Sequence, residues 1–140
     1  QLRTSFAVNA TGPAVVAKHF ASLLDHPRRA IFANMSARVG SIGDNYKGGW
    51  YGYRASKAAQ NQLTRTLSIE LDRRQTHTIC VALHPGTVDT DLSDPFQSYV
   101  PDEQLQTTRA SVTHLFDVLD SLDESDSGQF FDWAGEPIQW

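Results

Sequence analysis

Tyr53 and Lys57, in the run Gly52-Tyr53-Arg54-Ala55-Ser56-Lys57, are the residues whose types and spacing point first to chemistry. Four positions apart at the start of a helical pattern, they share one face, about one turn apart. A free phenol titrates near 10 (about 10 in model peptides) and is a poor acid or base at neutral pH. A fixed ammonium nearby favours the phenolate and lowers that value. The pair therefore reads as a proton-transfer device. The same spacing also occurs on ordinary helix surfaces, so the surrounding elements must decide.

Apolar residues at Phe6, Val8, Val15, Val16, Phe20, Leu23 and Leu24 recur at helical spacing, with Gly12-Pro13 as an interruption. Asp25-His26-Pro27 ends that helix, and Ala30 to Met35 reads as a buried parallel strand. Ser36 to Tyr51 is rich in Gly, Ser, Asn and Asp and reads as a long loop. A helix over Tyr53 to Arg73 follows, with Ala55, Ala58, Ala59, Leu63, Leu67, Ile69 and Leu71 as its apolar set. Thr78 to Leu83 is a second buried strand, stopped by His84-Pro85-Gly86. Thr87 to Pro101 reads as a second long loop, Asp102 to Leu122 as a third helix and Gly128 to Trp133 as a final strand. Strand and helix alternate, which predicts an α/β fold with a parallel sheet covered on both faces. Ligands of such sheets sit at the carboxyl ends of the strands. Both long loops leave those ends, and Tyr53 follows the first directly.

The chain has 140 residues, 40% hydrophobic and 10% aromatic, enough for one packed domain. A net charge of −4 argues against a nucleic-acid surface. The acidic run at 117–126 reads as a solvated helix end. The single cysteine, Cys80, lies in an apolar strand and reads as a buried, inert thiol. One cysteine allows neither a disulfide nor a Cys-rich metal site, and no metal ligands are assigned. With no signal-like segment and no membrane-length apolar run, the expected location is cytoplasmic. The start at Gln1, already inside a helical pattern, reads as the interior of a longer protein.

Four ordered motifs resemble the short-chain dehydrogenase/reductase family. Val8-Asn9-Ala10-Thr11-Gly12 is similar to its Asn-x-x-Gly element, and Asn34-Met35-Ser36 to the end of its Asn-x-Ser-Ser strand. Tyr53-Arg54-Ala55-Ser56-Lys57 is similar to its catalytic Tyr-x-x-x-Lys, and His84-Pro85-Gly86-Thr87-Val88-Asp89-Thr90 to its Pro-Gly-x-Val-x-Thr cofactor loop. Within the family, 36–42, Gly48-Gly49-Trp50-Tyr51 and the terminal Pro137-Ile138-Gln139-Trp140 look closest to the C-factor-like, sniffer-like carbonyl reductase group. The resemblance covers the whole chain. It implies the C-terminal half of a doubly wound, Rossmann-type fold, with three strands alternating with three helices.

What the resemblance implies for the site is specific. Tyr53 exchanges a proton with a carbonyl or alcohol oxygen as hydride moves to or from a nicotinamide, and Lys57 tunes Tyr53 and binds the nicotinamide ribose. Asn9 holds a water behind Lys57, or else satisfies a backbone group near Gly12. Asn34, Pro85, Gly86, Val88 and Thr90 complete the cofactor-binding set, with Thr90 open to a capping role instead. The cofactor is NAD or NADP, with NADP favoured. Trp50 and Tyr51 line a substrate mouth or else pack into a core or a subunit contact. The implied assembly is a homodimer or homotetramer through helices 2–24 and 53–73.

Two departures from the family pattern stand out. Its substrate-binding serine falls on Ala37, leaving Ser41, ahead of Ser36, as the replacement; loss of such a hydrogen bond can cost about 10²–10³ in rate. Its Gly-rich phosphate turn has no counterpart in 1–140. The leading expectation is the catalytic half of a carbonyl reductase or alcohol dehydrogenase, inactive on its own. The rival is a non-catalytic signalling or binding protein keeping the fold. A hydrolase using Ser36 or Ser41 with His84 is a poor match, because neither serine sits in Gly-x-Ser-x-Gly.

Overall fold

The computed structural model describes residues 1–74, 76–98, 100–101 and 104–140. A parallel sheet of β1 (Ala30–Met35), β2 (Thr78–His84) and β5 (Phe130–Asp132) runs in the order β1-β2-β5. β2 is central, and its first six residues are all buried. Its side chains alternate between two cores, as a strand covered on both faces must. Ile79, Val81 and Leu83 pack with Leu115, Val118 and Leu122 of α5 (Thr108–Ser121) and its C-cap. Cys80 faces the other way, against Leu71 of α3 (Tyr51–Arg73) and Ala21. Burial pushes the Cys80 thiol up to about 12, so it is the inert group expected. Among the described residues no strand pairs with the outer edge of β1, as expected of half a sheet.

The structure revises several boundaries. The first helical segment is not interrupted at Gly12-Pro13. α1 (Leu2–Phe6) and α2 (Gly12–Phe20) are joined by a π-turn at Ala7–Thr11, and a 3-10 turn, Ala21–Leu24, finishes it. The cause is Pro13, which has no N–H for the carbonyl four residues back, that of Asn9. The chain winds wider there, and the Gly12 N–H bonds Ala7 O, five residues back. The loop after β1 holds a 3-10 turn, Arg38–Gly40, and α3 begins at Tyr51 rather than Tyr53.

The second loop is not structureless. β3 (Thr87–Val88) pairs in parallel with β4 (Leu105–Gln106), and a short α4 (Asp94–Gln97) lies between them. The expected third helix therefore loses its first residues. Leu105 lies on a strand, Asp102 and Glu103 fall outside the described residues, and α5 starts where Thr107 accepts the Ala110 N–H at 3.1 Å as its cap.

The largest revision concerns α3. Its buried face is mostly polar: Ser56, Lys57, Gln60, Asn61, Thr64 and Ser68, with Leu71 alone apolar. Leu63 and Ile69, counted in the apolar set, are 40% and 39% exposed. Hydrogen bonds along this polar face join the apolar contacts of Leu67 and Leu71 in holding the helix to the sheet. Asn34 Nδ2 donates to Thr64 Oγ1 at 2.9 Å, and Ser36 Oγ donates to Asn61 Oδ1 at 2.5 Å.

Candidate active site

The carboxyl ends of the three main strands place Met35 and Ser36, His84 to Gly86, and Asp132 along one edge. α3 begins beside that edge. Tyr53 sits on its first turn, 38% exposed, and Lys57, one turn on, is only 8% exposed. Lys57 Nζ donates to Met35 O at 2.8 Å and Gln60 Oε1 at 3.0 Å. An ammonium has three donors, so one remains for a further acceptor.

The electrostatics differ from the expectation that Lys57 lowers the Tyr53 phenol. Desolvation raises the Tyr53 pKa and lowers that of Lys57. The ammonium is bonded to the end of β1 and to Gln60, and burial is the only cause acting on either group. Burial thus favours the neutral phenol of Tyr53, a proton donor in the resting chain.

Asn9 lies at the π-turn. Its Nδ2 donates to Ser56 Oγ at 3.0 Å, and Ser56 Oγ donates to Tyr53 O at 2.9 Å. Asn9 therefore braces the turn that carries Tyr53. Ser36 is buried and donates to Asn61 Oδ1, while the buried Nδ2 amino group of Asn61 has no partner among the described residues. Ser41 is 2% exposed; its hydroxyl donates to Gln139 O and accepts the Asp44 N–H at 3.0 Å. Both serines spend their one donor on protein acceptors. The C-terminal tail holds Ser41 in this way: Gly43 N donates to Trp140 O at 3.0 Å, and the Trp140 ring stacks on Phe130 at 5.5 Å.

The Pro85–Thr90 loop is also built. Gly86 has φ +79°, and a Cβ there would meet Gln106 Nε2 and, at 2.8 Å, Trp133 Cδ1, so this turn needs glycine. Pro85 O accepts from Gln106 Nε2 at 3.3 Å and Ser111 Oγ at 3.1 Å. Val88 O accepts from Ser93 Oγ at 2.5 Å and Thr90 Oγ1 at 3.3 Å. Thr90 and Val88 thus share one knot on the exposed side of β3. Ser56, Gln60, Asn61, Gln106 and Ser111 were not anticipated as supports. The four-residue spacing of Ser56, Gln60, Thr64 and Ser68 was the available signal, a polar stripe on one helix face.

Behind the rim, Arg38 bridges Asp44 at 3.1 Å and the buried Asp132 at 2.9 Å. His84, opposite Asp132 in the sheet, has a buried Nδ1 without a partner. Burial, then the Arg38 charge, hold its pKa down to about 4 against an opposing pull from Asp132. The folded state therefore disfavours a proton that the unfolded chain accepts below 6.5. This contribution is complete above 6.5 and is lost as pH falls towards 4, about 3 kcal/mol over the whole span. Denaturant titrations at descending pH should show that loss, and His84→Asn should flatten it; an equal slope in the variant would assign the loss elsewhere.

The donor set suits a nicotinamide nucleotide. Lys57, one turn after the exposed Tyr53, keeps an ammonium hydrogen beyond its bonds to Met35 O and Gln60, at the strand ends where such ligands bind. A phosphate-gripping glycine turn is not part of these 140 residues.

A family model described as short chain dehydrogenase matches residues 1–100. The chain is 36% identical to the C-signal of Myxococcus xanthus over 137 residues, covering 97% of this chain and 76% of that protein. It is 33% identical to the 1-hydroxy-2-glutathionyl-2-methyl-3-butene dehydrogenase of Rhodococcus sp. (strain AD45), covering 99% of this chain and 58% of that enzyme. Among solved structures, the carbonyl reductase Sniffer of D. melanogaster superimposes with a TM-score of 0.85 at 31% identity, over 99% of this chain and 57% of that one. An NADPH-bound carbonyl reductase from chicken fatty liver matches with a TM-score of 0.85 at 32% identity, over the same shares. The chain thus spans little more than half the length of most of these relatives.

Proposed function

The chain belongs to the short-chain dehydrogenase family, and from that premise we propose that it supplies the catalytic half of an NAD(P)-dependent oxidoreductase acting on a small carbonyl compound or alcohol. The observation that carries this reading is the placement of Tyr53 and Lys57: an exposed phenol on the rim, with a buried ammonium one turn behind it. A bound nicotinamide supplies or accepts the hydride. Tyr53 gives its proton to the carbonyl oxygen, or takes one from an alcohol in reverse. Lys57 offers its remaining donor to a ribose hydroxyl. Asn9 steadies the Tyr53 turn through Ser56. Pro85 and Gly86 shape the loop from which Val88 and Thr90 meet the carboxamide, and Asn34 fixes the strand end through Thr64. Ser41 takes the substrate-serine role once its hydroxyl turns from Gln139 O. NADP is the favoured cofactor, in line with the NADPH-bound relative.

Val8, Val15, Val16 and Phe20 expose an apolar face on the first helical segment. No helix among the described residues is long and apolar enough to cross a membrane. That face supports a homodimer or homotetramer through 2–24 and 53–73, in the cytoplasm.

A second reading has its own support. Ala37 stands where the family's serine falls, and the donors of Ser36 and Ser41 are both engaged. Taken with the C-signal relative, this favours a signalling or binding protein that keeps the fold without efficient turnover. Titration of NADPH into the full-length protein, followed by cofactor fluorescence, separates the two. Saturable binding in the micromolar range (about −8 kcal/mol) supports the oxidoreductase; no binding at millimolar cofactor supports the rival.

A further inference from the structure

Gly48, Gly49 and Trp50 lie consecutively in the left-handed backbone region, with φ of 63°, 72° and 46°. Glycines adopt it freely. A bulky side chain there is an outlier, and such strain persists only where neighbours over-determine it, commonly at functional sites. Here one side chain does so. Arg54 Nε lies 3.1 Å from both Gly48 O and Gly49 O, and its Nη1 donates to Val39 O at 3.3 Å. Its guanidinium carbon stands 5.6 Å from the centroid of the Trp50 ring. One arginine thus ties together the start of the loop, its end and its aromatic tip.

The tip has a place in the site. Trp50 is the N-cap residue of α3, three residues before Tyr53. Trp50 is 48% exposed, Ile42 and Tyr46 expose 78% and 87% of their surfaces from the same loop, and Tyr51, the first residue of α3, exposes 87%. The loop leading to Tyr53 thus exposes Ile42, Tyr46 and Trp50, and the helix start exposes Tyr51.

Resting on the proton-transfer role proposed for Tyr53, we infer that Arg54 is a positioning residue that locks Trp50 as the wall of the substrate mouth. The wall selects carbonyl compounds bearing a flat apolar group, which stack on the indole, over short aliphatic ones. Arg54 itself does not touch substrate. Lysine cannot replace it, because an ammonium lacks the planar fork that spans three carbonyls.

The test uses full-length protein carrying Tyr53→Phe and loaded with reduced cofactor, so that binding is measured without turnover. Dissociation constants for an aryl methyl ketone and a short aliphatic ketone are read by NMR titration. Trp50→Gly, which removes the strain with the indole, should weaken the aryl ketone about five- to tenfold and leave the aliphatic one nearly unchanged. Arg54→Ala should do the same. The double variant should be no worse than either single, because both act on one wall. Arg54→Lys should resemble Arg54→Ala, and it carries the test if the alanine variant does not fold. Equal losses for both ketones, additive losses, or no change would overturn the inference. Continued turnover by Tyr53→Phe would instead overturn the reading on which it rests.

Discussion

Tyr53→Phe in the full-length protein should lower turnover by about 10²–10⁴-fold, the usual worth of a positioned general acid or base. Cofactor affinity should fall by no more than about tenfold, the scale of one lost hydrogen bond. The fold should be untouched, because among the described residues the hydroxyl makes no hydrogen bond that holds it, and the ring remains. The separation is the point. Turnover measures the proton, while cofactor binding measures the pocket, and Lys57 still offers its spare donor. Steady-state rates with a simple aldehyde, beside NADPH titration of the same preparation, give both numbers. Turnover within a few fold of wild type would remove Tyr53 from the chemistry.

Gly40→Ala should be damaging for another reason. Gly40 is where the loop after β1 presses on α3. A Cβ there would lie 2.8 Å from Lys57 Cβ, 2.9 Å from the Lys57 carbonyl carbon and 3.1 Å from Asn61 Nδ2. One of these atoms is backbone and cannot swing aside. The contact can be relieved only by moving the loop off the helix, and with it Ser41 or Lys57. A loss of about 2 kcal/mol or more is expected in denaturant titration, with a fall in turnover beyond what stability explains. Gly12→Ala is the matching control. Its Cβ would meet only Ala7 O at 3.4 Å, and a helical glycine replaced by alanine should gain about 0.5–1 kcal/mol. If both variants lost equal stability, loop–helix contact at Lys57 would not be the cause.

How much of this was legible in the sequence depends on the range of the forces. Tyr53 and Lys57, the three main strands and the Pro-Gly stop were readable, because periodicity and turn chemistry are local. β3 and β4 were not: two residues each leave no period, and their pairing joins Thr87 to Leu105 across a long gap. The polar face of α3 defeated the rule that buries apolar residues. That helix meets the strand end where Asn34, Ser36 and the Met35 carbonyl need partners, and its polar side chains satisfy them. Pro13 read as a break, yet its missing N–H produced a π-turn and the helix continued. The Ser41–Gln139 and Arg38–Asp132 contacts join the loop to the last residues of the chain, 98 and 94 positions away. No local pattern predicts them, and they decide where the candidate serine points.

The pH dependence of alcohol oxidation, measured for wild type and Tyr53→Phe together, tests most directly whether Tyr53 moves the proton. Oxidation requires the phenolate, so kcat/KM in wild type should climb with pH through the Tyr53 titration. Burial alone sets that titration above the ordinary value of 10.0. Any lower midpoint in the full-length protein therefore measures what Lys57 and the bound cofactor add. The account predicts a rising limb in wild type and a flat, much reduced profile in Tyr53→Phe. The same limb at similar amplitude in both proteins would contradict it.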